Sequence, residues 1–245
     1  MMGPIFLLVA LACAVGGWAS LRRSGRGWRV GRLLSAAPEH SLAEATAVAT
    51  RREDTYVRLH ARIDSDEEFP GDDDEPLVFR RRRLQRRVPR PIGSGGWQTF
   101  DDERLAVPFR LTQRDQRVAI EVDALADGLV VVPRVSIGVV ADLSGEAAVG
   151  GLSELAPQTP VRLRLEQIST VDHATACGVP RLAITGETVL GPGRGRPLIL
   201  TTLELDEAMR VLGSEQRGSL RVAAGLLAIG LLGIAIGLLL TIAGR

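Results

Sequence analysis

Glu166, Asp172 and His173 stand close together, and carboxylates beside a histidine are parts from which acid–base or acyl-transfer sites are built. A triad is defined by geometry, and the spacing of these three residues does not supply it. The thiols are Cys13 and Cys177. Cys177 lies in the strand-like run Ala174–Val179 with no basic group placed to lower its pKa, so an inert, buried thiol is expected. His173 is four residues away, more than about 10 Å along an extended chain. Two cysteines and three histidines (His40, His60, His173) never reach the spacing of a zinc site. The run Gly191-Pro192-Gly193-Arg194-Gly195 has the glycines of a phosphate loop but lacks its Lys and Ser/Thr. Asp72-Asp73-Asp74 lacks the alternating ligand spacing of a calcium loop. No nucleophile elbow is present. The residues therefore name no catalytic, cofactor-binding or metal site, and no enzyme is expected from them.

Charge is distributed more tellingly than its sum of +1, which speaks against a nucleic-acid partner. All thirty basic residues are Arg, a bias that fits GC-rich coding and implies no function. Residues 64–75 hold eight acids around the turn Pro70-Gly71. Seven arginines follow within 80–90: Arg80 to Arg83, Arg86, Arg87 and Arg90. One reading is a basic strand that grips anionic lipid headgroups or a phosphorylated partner. The other is a long hairpin whose acidic and basic arms neutralise each other, which the matching counts favour. Exposed ion pairs are worth about 0–1 kcal/mol, so Arg80 to Arg83 are expected to add little to stability.

These groups need elements to hold them. Val57, Leu59, Ala61 and Ile63 alternate with Arg58, His60 and Arg62, the mark of a half-buried strand, with His60 on its polar face. Val161–Glu166 alternates as cleanly, and Ala174–Val179 and Leu198–Thr202 add strands. Val107–Leu111 and Val118–Val122 flank a turn, and Leu129–Val132 and Val135–Val140 are short apolar runs. Val88–Gly96 reads as a flexible break. Ser41 and Glu44 form a capping box that opens a short helix. Asp206–Leu212 has helical composition and is expected to stop at Gly213. Residues 51–213 thus form a β-dominated domain.

Outside that domain, residues 222–243 carry no charge and would span about 33 Å as a helix, enough for a hydrocarbon core of about 30 Å. Residues 3–21 are also uncharged, and arginines follow them, as in an uncleaved signal-anchor. The expected fold class is a membrane protein with two transmembrane α-helices, 3–21 and 222–243, flanking a β-dominated α+β soluble domain. Residues 22–50 would be a juxtamembrane linker with a short helix. Arginine placement puts the domain in the cytoplasm and both termini outside. Ala12 and Gly16, and Gly233 and Gly237, have helix-contact spacing, so a homo-oligomer through Gly233 and Gly237 is an expectation too.

Four segments carry a family resemblance: PLVFRRRRLQRR at Pro76–Arg87, VPFRLTQRDQRVAIEVDAL at Val107–Leu125, VRLRLEQISTVDHATACGVP at Val161–Pro180 and RPLILTTLELDEAMRVLG at Arg196–Gly213. Together they resemble the GIDE, or beside-a-membrane, domain of mitochondrial RING-type E3 ubiquitin ligases and their prokaryotic, RING-less relatives. The resemblance implies a membrane protein and lends the label of ubiquitin transferase. In the ligases a zinc-binding RING follows the second helix, and no such segment stands between residue 243 and Arg245. A RING needs eight Cys/His ligands for two zinc ions, so ubiquitin transfer is not expected. The reading is a membrane-anchored binding or scaffold protein, with the lipid bilayer and a protein as partners.

Overall fold

The computed structural model describes residues 11, 13, 15–18, 27–71, 74–88, 96–125, 128–143 and 155–243, without the side chains of 214–223, 226 and 237–243. The chain divides into two compact units, Ala37–Leu203 and the terminal segments Met1–Ala36 with Glu204–Arg245.

The helix described over 27–36 is α1; in the first unit, α2 spans Leu42–Thr50. The capping box forms: Ser41 Oγ accepts from the Glu44 N–H at 3.2 Å, and the Glu44 carboxylate accepts from the Ser41 N–H at 2.7 Å. Leu42, Ala45, Val48 and Ala49 give the helix its buried stripe.

Among the described residues twelve strands follow in two sheets. The first holds β1 (Val57–Asp64), β5 (Arg110–Gln113), β6 (Gln116–Ile120), β11 (Thr188–Gly191), β10 (His173–Leu182), β12 (Ile199–Thr201) and β7 (Leu129–Val130). Because β10 pairs with β1 as well as β11, the ring β1-β5-β6-β11-β10 closes on itself. All its pairs are antiparallel except β6 with β11. That is a small Greek-key barrel of the kind to which OB-folds belong. The alternation of β1 fills the interior: Val57, Leu59, Ala61 and Ile63 join Leu111, Val118, Ile120, Ala174, Ala176 and Leu190 in one core. Gly128 lets β7 run alongside β12, since a Cβ there would meet the Leu198 carbonyl oxygen at 1.7 Å.

The second sheet is open. Its strands are β2 (Phe69–Pro70), β3 (Pro76–Val88), β9 (Pro160–Ser169) and β8 (Arg134–Val139), with β4 (Gly96–Ala106) on the other side of β3. A register shift between Leu77 and Phe79 lets Leu77, Val78 and Phe79 all be buried, so the start of β3 belongs to the barrel core. Beyond it β3 carries its arginines out into the open sheet. The expected flexible break after Val88 leads straight into β4, eleven residues with no clean alternation to announce them; 89–95 lie outside the described residues.

In the terminal unit, α1 is described over 27–36 and α3 runs Leu205–Ala243. At Gly31 a Cβ would lie 3.0 Å from the Met209 sulfur, so the small residue admits that side chain. Two expectations are corrected here. The helix does not stop at Gly213 but continues through it, with no left-handed residue to end it. And among the described residues no helix is long and apolar enough to cross a membrane, which removes the two-pass membrane fold, its transmembrane helices and the localisation drawn from them. The physical reason is that 222–243 is not a helix of its own but the continuation of one that opens with Asp206, Glu207 and Arg210. The N-terminal run 3–21 lies mostly outside the described residues.

Candidate functional site

The groups that looked capable of chemistry do not converge. Glu166 sits in β9 of the open sheet, where its buried carboxylate takes Arg83 Nη2 and, at 3.1 Å, Arg164 Nε. Asp172 closes the turn before β10 by accepting from the Ser169 N–H at 3.0 Å. His173 faces outward on the barrel, stacked on His60 with ring centroids 6.2 Å apart. His60 is bonded across the strands through Nδ1 to Thr175 Oγ1 at 3.0 Å, a structural role on the polar face. Cys177 is fully buried, and burial pushes its thiol up to about 12. Arg194 and the glycines around it form a closed turn in which Gly193 and Arg196 exchange backbone hydrogen bonds, so its N–H groups are not aimed at a phosphate.

The basic strand is neutralised, though by different acids from those expected. Among the described residues the acidic arm meets β3 where Phe69 and Pro70 pair with Leu77 and Pro76 and where Arg80 lies over the Phe69 ring. Its Asp64 and Asp66 instead clasp Arg110 of β5, at 2.8 and 2.6 Å. Hydrogen bonds from Arg110 hold the Asp66 carboxyl below its ordinary range and raise the guanidinium. Arginines of β3 are met by β4 and β9: Arg81 grips Asp102 through Nε and Nη2 at 2.8 and 2.7 Å, Arg82 meets Glu103 at 2.7 Å, and Arg83 meets Glu166. The Arg81 bonds depress Asp102 despite its partial burial. Register puts Arg81, Arg83, Arg104, Arg162 and Arg164 on one face with Asp102 and Glu166. Arg104 also lies over Phe79, and Arg162 lies 4.7 Å from the Trp97 ring centroid. Arg82 and Arg83 keep only 20% and 22% of their side-chain surface exposed. They are thus half-buried, not the exposed ion pairs on which the low expected contribution to stability rested. Of the considered calcium run, Asp72 and Asp73 lie outside the described residues.

A concave site appears elsewhere, where no motif signalled it. A cleft of about 710 Å³ opens between the C-terminal end of α2 and the β10–β11 hairpin. Arg52, Glu53 and Asp54 line one side, Arg181, Leu182 and Ile184 the other, with Arg194 beside them. The end of α2 is a Schellman motif: the Arg52 N–H bonds to the Ala49 carbonyl, and the Glu53 N–H to that of Val48. The left-handed position that such a motif usually gives to Gly is taken by Arg52, at φ 56°. Opposite, Gly186 at φ 84° turns the hairpin and leaves Ile184 wholly exposed and Leu182 42% exposed. Arg194 stands 3.8 Å from Asp54, and Arg181 donates to the Pro192 carbonyl at 2.7 Å. The cleft thus offers apolar surface beside the guanidiniums of Arg52, Arg181 and Arg194 and the carboxylates of Glu53 and Asp54. The local signal in the sequence is the charged run Arg51-Arg52-Glu53-Asp54 that follows the helix.

No family model, no curated protein and no solved structure matches the chain. The resemblance to the GIDE domain rests on the four quoted segments alone. What the fold defines by itself is a class: a small closed β-barrel carrying an open, charge-paired sheet.

Proposed function

We propose that the Ala37–Leu203 unit is a non-catalytic binding module, a scaffold that holds a short acidic and apolar segment of a protein partner in the cleft between α2 and the β10–β11 hairpin. One observation carries this reading. Ile184 projects fully into solvent at the hairpin tip, beside a cleft lined by Arg52, Arg181 and Arg194. An exposed aliphatic anchor among guanidiniums is the composition that takes an apolar side chain flanked by carboxylates. The left-handed Arg52 supports it: a side chain kept where Gly would relieve about 1 kcal/mol of strain is consistent with use at a site. Ubiquitin transfer has no observation in its favour, since the only thiol in this unit is Cys177, buried and held protonated.

The test is selection from a random peptide library on the purified full chain. Enriched peptides should carry an aliphatic residue next to Asp or Glu, and should lose at least tenfold in affinity for Ile184→Asp and for Arg194→Glu. Peptides that bind Ile184→Asp as well as the parent would sink the reading.

A further inference from the structure

Strand β8 is an edge of the open sheet, bonded on one side to β9 and, among the described residues, to no other strand. Its core Val135–Val139, VSIGV, has no charge and no proline. Val135 is 49% exposed and Ile137 70%. An apolar, β-prone edge of this kind is one that proteins ordinarily blunt or cover, because its unpaired backbone groups template another strand. The backbone shows which groups point outward. The Val140 N–H bonds to the Thr159 carbonyl, on the β9 side, whereas the Val139 N–H is taken at 2.9 Å by the Asp142 carboxylate. Inward and outward groups alternate along an antiparallel strand, so the N–H and C=O of Val135 and Ile137 face away from β9.

The geometry points to a second copy of this chain as the occupant, paired antiparallel along β8 about a two-fold axis through Ser136. An outward residue must meet an outward residue, and centring on Ser136 places Val135 opposite Ile137 of the second copy and the reverse. That makes two hydrogen-bonded pairs and four backbone bonds. The next outward pair would be Pro133 with Val139, and neither has a donor to give: Pro133 lacks an N–H, and the Val139 N–H is bound to Asp142. The ladder therefore ends where its donors end. Side chains agree. Val135 and Ile137 of the two copies adjoin on one face, and Arg134 falls opposite Gly138, so no arginine meets an arginine. A charged peptide would find no opposite charge within Val135–Val140, whereas an identical edge satisfies both the apolar and the donor pattern. This pairing is separate from the cleft and from Gly233 and Gly237.

Site-specific crosslinking of the full chain tests it, in a Cys13→Ser background where the buried Cys177 is the remaining thiol. On the axis, Ser136 meets Ser136 as a non-hydrogen-bonded pair with Cα atoms about 4.5 Å apart, within disulfide reach. Ser136→Cys should convert more than half of the protein to covalent dimer under mild oxidation. Arg134→Cys lies about 13 Å from its own counterpart and should stay at least tenfold slower. Adding Ile137→Lys to Ser136→Cys should cut dimer formation at least tenfold while far-UV circular dichroism stays unchanged, since Ile137 packs little. A monomeric Ser136→Cys protein overturns the proposal and leaves the edge to a different chain. Equal rates for Ser136→Cys and Arg134→Cys overturn it too, because association elsewhere, including through α3, would not discriminate between them.

Discussion

The barrel core takes in Val78 and Phe79 from the start of β3, a strand of the open sheet, yet the two regions are held together by opposite means. In the barrel a single apolar core runs from Leu42 and Ala45 of α2 through Val57, Leu59 and Leu111 to Leu198 and Leu200. In the open sheet Leu84 and Leu165 are buried as well, yet they share their face with Arg82 and Asp101 and lie outside the core cluster. Non-directional burial tolerates changes in salt and acid, whereas a layer of ion pairs depends on each carboxylate staying charged. The Arg83 Nε is buried without a hydrogen bond, a cost the charge layer carries and the barrel avoids. The contrast teaches that a strand can be apolar core at one end and charged surface at the other, provided that a bulge resets its register between them.

The largest expected effect breaks the barrel where the two regions join. Phe79→Ala should cost about 3–5 kcal/mol in denaturant unfolding, and Leu84→Ala in the open sheet distinctly less. Equal costs would mean that the core extends into the open sheet.

Alkali should attack the barrel through Cys177. Its thiol is raised to about 12 in the folded state, against about 8.5 in an unfolded chain. The unfolded chain gives up the proton first, so this contribution is complete below about pH 8.5 and is lost as pH rises towards 12. The slope is at most about 1.4 kcal/mol per pH unit. Cys177→Ala should flatten that part of the stability profile.

Glu166→Gln should cost about 1.5–3 kcal/mol, because two partly buried guanidiniums lose their shared anion. Hydrogen exchange should quicken in β3 beyond Arg80 and in β9 before it does in β1. Protection lost first in β1 would contradict the separation of the two regions.

Acid should reach the open sheet first. Asp102 is depressed by Arg81, so its contribution is present above the unfolded value of about 3.9 and is lost as pH falls through its lower folded value. With Asp102 partly exposed, Asp102→Asn should remove only about 0.5 kcal/mol near neutral pH and flatten the acid limb. One effect has the opposite sign: Arg52→Gly should stabilise the protein by up to about 1 kcal/mol while weakening peptide capture in the cleft.

Much of the local structure was legible in the sequence. The alternation of Val57 to Ile63 and of Val161 to Glu166 marks β1 and β9, and Ser41 with Glu44 announces its capping box, because each signal is written within a few consecutive residues. The same is true of Cys177 as an unreactive thiol and of His60 on a polar face. The tertiary structure alone decided which charges meet. Arg81 and Asp102 are 21 residues apart and Arg83 and Glu166 are 83, and counting acids in 64–75 selected the wrong partners. It alone showed β4, whose charged residues alternate with nothing apolar until β3 lies beside them. A helix continuing from Leu205 replaced the separate segment that uncharged residues suggested, since composition reports hydropathy and not where a helix begins. Barrel closure, the cleft beside Arg52 and the outward row of β8 arise from register between distant strands. Periodicity reports the face a side chain takes, and only pairing decides what that face meets.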